Sequence, residues 1–374
     1  MQRTIRIQLK PSDETTEILT QTIEQYTWSF NAVCQLGWDK SIASGVILHK
    51  ETYYDHRTLT GLPSQLVCSA RVKATEALKS VQILQRKKKT VTCPTSKRCP
   101  IQYDARSYTV WFDKHELTLL TIKGRVKLSF ELAEYYRQYL SWNKTSADLV
   151  RDRKGRWWLH GVMEATTPVV TPIEETIGVD LGIANPATDS RNEFYGGKHW
   201  QDIEDRTFEL RRRLQSKGTK SAKRRLKEIS GRQKRFRRDC DHVLSKRLVQ
   251  SVDEGATIAF EDLTNIRGRA KTRKAQRCRL YSWSFAQFQS FVTYKAEARG
   301  IVIGFVDPRY TSQKCSECGH IERGNRPTQS DFRCKKCGFE SHADLNAAIN
   351  IREDFLKRRA SVNAPIVVCP EMGS

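Results

Sequence analysis

The sequence predicts an α/β core with a four-cysteine metal ribbon set into its C-terminal part, preceded by a small β-barrel that a helical lobe splits. Three observations predict it. Two C-x-x-C pairs stand at Cys315/Cys318 and Cys334/Cys337. Apolar strands that each run into a candidate acid, IEETIGVDLGIAN at 173–185 with Asp180 and ATIAFEDL at 256–263 with Glu261, alternate with helical patterns, the signature of a mainly parallel sheet. Short β-type runs fill residues 100–168, whereas 14–89 have helical spacing.

In chain order, RTIRIQL at 3–9 alternates polar and apolar residues like a strand, and Pro11, Ser12 and Asp13 then mark a turn and a helix start. Apolar residues such as Ile18, Ile23, Phe30 and Val33, and later Leu66, Val67, Ala70, Ala74 and Leu78, recur at helical spacing. The runs YTVWF, LTLLTI, RVKLSF and RWWLHGVM follow, separated by turn residues, and strand 3–9 completes their barrel. A second domain begins near 173. Residues 204–247 read as polar helices holding 17 lysines and arginines against 6 acids. A basic loop follows at 264–280, then a helix, SWSFAQFQSFVTYKAEARG, and a strand, IVIGFVDP, that runs up to the cysteines.

At 374 residues the chain has room for two or three domains at roughly 150 residues each. Its 65 lysines and arginines against 42 acids leave a formal charge of +23, which favours a polyanionic partner over a neutral metabolite. There is no run of 18 apolar residues, and MQRTIRIQLKPSDE lacks the apolar core of a signal peptide, so the chain reads as soluble and cytoplasmic.

Cysteine usage agrees with a reduced compartment. The count, 11, is odd, and four of the cysteines form C-x2-C-x15-C-x2-C with Gly319 and Gly338 after the pairs. Each C-x-x-C turn lets two thiolates converge, and four close a tetrahedral structural Zn²⁺ site with no open position. A redox dithiol needs one such pair on a thioredoxin-like unit, and two matched pairs disfavour it. Cys93 and Cys99, with five residues between them, read as ordinary thiols.

Asp180 in GVDLGIA, Glu261 in IAFEDL and Asp344 in SHADLNAAINI form the candidate catalytic set. Two of them end strands and one opens a helix. Each has a structural alternative: Ser341-x-x-Asp344 fits a capping box, Glu261 beside Asp262 fits a solvated strand end, and Asp180 could begin a turn. Jointly they point to chemistry. A pair of hard Mg²⁺ ions needs carboxylate oxygens and can activate water and steady a leaving oxygen in phosphodiester hydrolysis.

GVDLGIANPATDS, AFEDLTNI, SWSFAQFQSFVTYKAEARGIVIGFVDPRYTSQKCSECGH and CKKCGFESHADLNAAINI resemble, in that order, the nuclease and ribbon half of the TnpB family of transposon-encoded RNA-guided nucleases, over about 173–352. RTIRIQLKP and LPSQLVCSARVKATEALKS resemble its opening strand and a recognition-lobe helix. Type V CRISPR effectors and Fanzor proteins share this core. The resemblance implies an RNase H-like (RuvC) nuclease at 173–312 and 340–355 and a zinc ribbon at 313–339. It further implies a wedge β-barrel at 1–10 and 90–170, a helical recognition lobe at 11–89 and a C-terminal tail at 356–374. Function follows from it as an expectation: DNA cutting directed by a guide RNA from the transposon end, at double-stranded target DNA beside a short duplex motif. The catalytic acids match Asp180, Glu261 and Asp344, and 264–282 matches a lid.

This chain has His342-Ala343-Asp344 where the family often has Asp-Arg-Asp, and Cys68 where the recognition helix often carries glutamine. Ser64, Gln65 and Ser69 are the candidate readers of the duplex motif. Arg232, Lys234, Arg235, Arg237 and Arg238 are the candidate backbone contacts to guide RNA or its duplex. The alternatives are an RNA-guided repressor that does not cut, a compact type V CRISPR effector, a guide-free nucleic-acid-binding protein, and a strand-transferring transposase.

Overall fold

The computed structural model describes residues 1–182, 185–196, 198–264 and 285–361. It divides into two compact units, residues 1–166 and 167–374. The segment expected as a lid, 264–282, lies outside the described residues except for Thr264, as does most of the expected tail.

The first unit opens with strand β1 (Gln2–Lys10), then three helices, α1 (Asp13–Asp39), α2 (Gly45–Leu59) and α3 (Ser64–Arg86). Six strands follow: β2 (Ile101–Asp104), β3 (Tyr108–Trp111), β4 (Glu116–Thr121), β5 (Gly124–Leu132), β6 (Asn143–Arg151) and β7 (Trp157–Glu164). All seven strands join one antiparallel sheet in the order β2-β6-β7-β1-β5-β4-β3. Strand 3–9 thus sits at the centre, paired with β7 from Gln2↔Glu164 to Leu9↔Trp157 and with β5 at Ile7↔Leu132. Its period-2 pattern turns Ile5, Ile7 and Leu9 inward.

The sheet nearly closes into a barrel, because side chains bridge its two edges. Tyr103 on β2 donates to the Leu120 carbonyl on β4 at 3.0 Å, and Lys144 Nζ on β6 donates to the Val110 carbonyl on β3 at 3.1 Å. Helix α1 is capped by Ser12, whose hydroxyl accepts from the Thr15 amide. Leu19, Ile23 and Phe30 of α1 and Leu66, Ala70 and Leu78 of α3 share one apolar core with the barrel interior.

The second unit holds a five-stranded sheet in the order β10-β9-β8-β11-β12. Strands β8 (Thr176–Asp180), β11 (Thr257–Glu261) and β12 (Val302–Val306) run parallel. Strands β9 (Ala187–Asp189) and β10 (Phe194–Tyr195) extend it antiparallel. Helices α4 (Lys198–Lys217) and α5 (Lys220–Gln250) lie between β10 and β11 in sequence. Gly218, with φ of 63°, breaks them apart, and Thr219 caps α5 by accepting from the Ala222 amide. Helix α6 (Phe285–Glu297) precedes β12.

Helix α7 (Ala343–Ser361) closes the described chain and crosses the parallel strands at very short range. A Cβ on Gly178 of β8 would stand 2.1 Å from the Ala348 carbonyl, so only glycine lets helix and strand meet there. The helix continues through residues 356–361, where the tail was expected. Between β12 and α7 lies the ribbon, with the hairpin β13 (Asp331–Arg333) and β14 (Glu340–His342). Among the described residues no helix is long and apolar enough to cross a membrane.

Candidate active site and metal ribbon

Val179 of β8 and Phe260 of β11 are register partners, so Asp180 and Glu261, one residue further, end adjacent parallel strands. The position is physically typical of a site: strand C-termini of an open α/β sheet share one edge, and rigid strands aim the side chains there. Asp344, 7% exposed, is the second residue of α7, which packs on β8. The structure therefore brings the three predicted acids together from positions 164 residues apart in sequence.

Their electrostatics show the crowding. Burial, then the charges of Glu261 and Asp344, hold the Asp180 carboxyl well above the usual carboxylate range, against the pull of Arg326 and the Leu181 amide. Burial also raises Glu261, opposed by a hydrogen bond from Thr311 and by Arg326. Asp344 is held on both oxygens: Arg326 donates to Oδ1 and Asn185 to Oδ2, each at 3.0 Å.

The capping-box alternative for Ser341 is not what the chain does. Ser341 donates to the His342 carbonyl at 3.3 Å, and it is His342 Nδ1 that lies 3.2 Å from the Asp344 amide. Sequence reasoning missed Arg326, Asn185 and Thr311, none of which lies in a local motif with its partner.

The four cysteines form two matching knuckles. Gly319 N donates to the Cys315 carbonyl at 2.9 Å and Gly338 N to the Cys334 carbonyl at 3.0 Å, with φ of 72° and 77° at the two glycines. The sulfurs of Cys315 and Cys337 lie 3.7 Å apart and those of Cys318 and Cys334 3.6 Å apart, so the cluster could hold a metal ion. Cys99 is a buried thiol pushed up to about 11 by burial, in keeping with an ordinary unreactive role.

The candidate nucleic-acid contacts divide. Ser64 and Gln65 are exposed near the start of α3, and Gln65 reaches Asp104. Ser69 is turned inward: it donates to the Gln102 carbonyl at 2.7 Å and lies 2.7 Å from the Tyr26 hydroxyl, tying α3 and α1 to β2. Arg232, Lys234, Arg235 and Arg238 are exposed on α5. Arg237 differs, because its guanidinium pairs with Glu204 of α4 at 2.6 Å and clamps the helical hairpin.

Residues 160–266 match the family model described as probable transposase (OrfB_IS605), and 285–351 match the Cas12f1-like TNB domain. The chain is 34% identical over 219 residues to the CRISPR-associated endodeoxyribonuclease Cas12f1 of Sulfoacidibacillus thermotolerans, covering 54% of this chain and 50% of that protein. It is 35% identical over 128 residues to a TnpB-like protein of Methanocaldococcus jannaschii, covering 34% of this chain and 45% of that protein. The chain thus spans about half the length of these relatives. The fold matches that of Cas12f1 in its complex with single-guide RNA and target DNA, with a TM-score of 0.67 at 16% identity over 91% of this chain and 83% of that one. The family matches thus fall at residues 160–266 and 285–351, and part of the chain is similar to the TnpB-like proteins and to the Cas12f1 endodeoxyribonucleases.

Proposed function

We propose that the chain is an RNA-guided DNA endonuclease of a transposable element, hydrolysing phosphodiesters with Asp180, Glu261 and Asp344. The observation that carries this reading is the meeting of the three acids at one sheet edge, where burial and then its neighbours' charges hold Asp180 above the carboxylate range. Such a cluster is relieved by divalent cations, and its all-oxygen donors suit Mg²⁺. When bound there, a pair of Mg²⁺ ions would supply a nucleophilic water and steady the departing oxygen. The chain's own part is to hold the carboxylates. Strands β8 and β11 aim two of them, and Arg326 and Asn185 orient Asp344. The sheet, with antiparallel β10-β9-β8 and parallel β11-β12, supports reading the second unit as an RNase H-like RuvC core.

The cysteine cluster fits Zn²⁺ as a structural ion. A tetrahedron with Zn–S of about 2.3 Å has S···S edges of about 3.8 Å, close to the 3.7 and 3.6 Å separations. In the first unit, the near-closed barrel supports the wedge and α1 to α3 the recognition lobe, with Ser64 and Gln65 as the accessible candidates for motif reading. The exposed cations of α5 would hold guide RNA or its duplex with target DNA through phosphates.

The test is to sequence the RNA that copurifies with the protein, then offer a duplex matching its guide portion in Mg²⁺. Cleavage that requires both the match and the RNA is the expected result. Cutting without RNA, or bound RNA with no cutting of any matched duplex, would overturn the reading.

A further inference from the structure

Between β12 and the first cysteine the chain makes a turn that the catalytic reading leaves without a role. Tyr310, 56% exposed, sits at a φ of 64°, an uncommon backbone for so bulky a residue. Gln313 N and Lys314 N both donate to its carbonyl at 2.9 Å, closing the turn. A strained residue persists only where its surroundings fix it, and such residues gather at functional sites. The next residue is Thr311, 2% exposed, whose hydroxyl donates to Glu261 Oε1, with the Pro308 carbonyl 3.2 Å away as a second acceptor. One hydroxyl hydrogen serves one acceptor at a time, and a charged carboxylate is the stronger of the two.

The same turn is gripped from the other side by α7. Asn350 Nδ2 donates to the Thr311 carbonyl at 2.9 Å and to the Lys314 carbonyl at 2.7 Å. Asn346 Nδ2 donates to the Lys314 carbonyl at 2.9 Å, and its Oδ1 accepts from the Ser316 amide at 3.0 Å. Both amides are buried, at 0% and 1% exposure, and stand four residues apart on one helix face. Two buried asparagines are costly unless satisfied, and this turn satisfies them. Since Asp344 opens the same helix, a single connector registers Glu261, Asp344 and Cys315 against one another.

We propose that Thr311 is a positioning residue: its hydroxyl fixes one oxygen of Glu261 and so aims the other, through a turn that Asn346 and Asn350 lock to α7. This rests on the reading of Glu261 as a metal-ligating acid. The experiment compares Thr311→Val, Thr311→Ala, Thr311→Ser and Glu261→Gln in the guide-loaded protein. It reads Mn²⁺ binding by electron paramagnetic resonance, single-turnover cleavage against Mg²⁺ concentration, zinc content and guide affinity.

Loss of one hydrogen bond to a charged group should slow cleavage about tenfold and weaken Mn²⁺ binding to a similar extent in Thr311→Val and Thr311→Ala. Zinc content and guide affinity should hold, high Mg²⁺ should recover part of the rate, and Thr311→Ser should stay within about twofold of wild type. Thr311→Ala keeps the test open should the valine variant fold poorly. Wild-type Mn²⁺ binding and cleavage in both hydroxyl-free variants would overturn the proposal, as would equal damage in Thr311→Ser. Failure of the underlying reading looks different: Glu261→Gln would then cut normally whatever Thr311 does.

Discussion

The ribbon and the carboxylate site lie in the same unit and are built in opposite ways. Each half of the ribbon is local: a C-x-x-C turn, a glycine at positive φ and one amide-to-carbonyl bond place two sulfurs within four residues. The acids come instead from β8, β11 and α7, and every one depends on packing that holds those elements together. A local site can be specified by spacing alone, and its metal then contributes to folding directly. An assembled site of like charges opposes its own formation, so it must be held by the surrounding fold.

The largest effect should come from breaking the ribbon. Replacing Cys315 or Cys334 with serine removes a thiolate from a site whose metal binding is worth on the order of 10 kcal/mol of folding free energy. The ribbon should unfold locally and zinc content should fall well below one per chain. Arg326 belongs to the same segment, so Asp344 would lose its guanidinium partner and cutting would fail as well. A serine variant that kept full zinc would break the comparison at its first term.

Breaking the acid site should leave the fold alone. Asp180→Ala, Glu261→Ala and Asp344→Ala are each expected to lower cleavage by on the order of 10³-fold or more, since the site loses an oxygen ligand. Guided DNA binding should stay near wild type because phosphate contacts lie elsewhere. Filter binding and cleavage assays on the same preparations check this, and any variant cutting at the wild-type rate removes that residue from the site.

A smaller effect separates exposed from committed cations on α5. Neutralising Arg232, Lys234, Arg235 and Arg238 should weaken guide binding and flatten its salt dependence, by about 0.7 to 0.9 log unit for each phosphate the helix no longer neutralises. Arg237→Gln alone should instead lower stability through the broken pair with Glu204 and leave the salt slope unchanged. Guide affinity measured at several salt concentrations decides it, and parallel slopes for the fourfold variant and wild type would defeat the prediction.

What the sequence made legible follows the same division. Residue spacing revealed the cysteine pairs, period-2 alternation revealed β1, and an acid at the end of an apolar run placed Asp180 and Glu261 at strand ends. Partners supplied by other elements were hidden. Ser69 and Arg237 have the helical positions of surface residues, yet β2 and α4 supply them with partners that no helical period encodes. Arg326 reaches Asp344 across 18 residues and Thr311 reaches Glu261 across 50. Asn346 and Asn350 did leave a trace: two amides at i and i+4 within the apolar run DLNAAINI mark buried polar groups that need partners.

The subtlest prediction tests whether the acid site opposes folding. With no divalent cation present, Asp180 is penalised when ionised, because burial and the charges of Glu261 and Asp344 raise its carboxyl above the ordinary range. In the unfolded chain the same group ionises near its usual value of about 4. Below that pH Asp180 is neutral in both states and should behave like asparagine. As pH rises past it, the unfolded chain gives up the proton while the folded protein retains it, so wild-type stability declines until the raised folded value is passed. Asp180→Asn carries no such charge and escapes the decline. The variant should therefore melt at a higher temperature than wild type near neutral pH in dialysed, Mg²⁺-free buffer, with the gap narrowing toward a pH of about 4. Added Mg²⁺ should shrink the gap too, since it binds the folded wild-type site and stabilises it by mass action. Thermal melts of both proteins at two pH values, with and without Mg²⁺, supply the four comparisons. A variant no more stable than wild type at neutral pH would mean that the fold accommodates the three acids without strain.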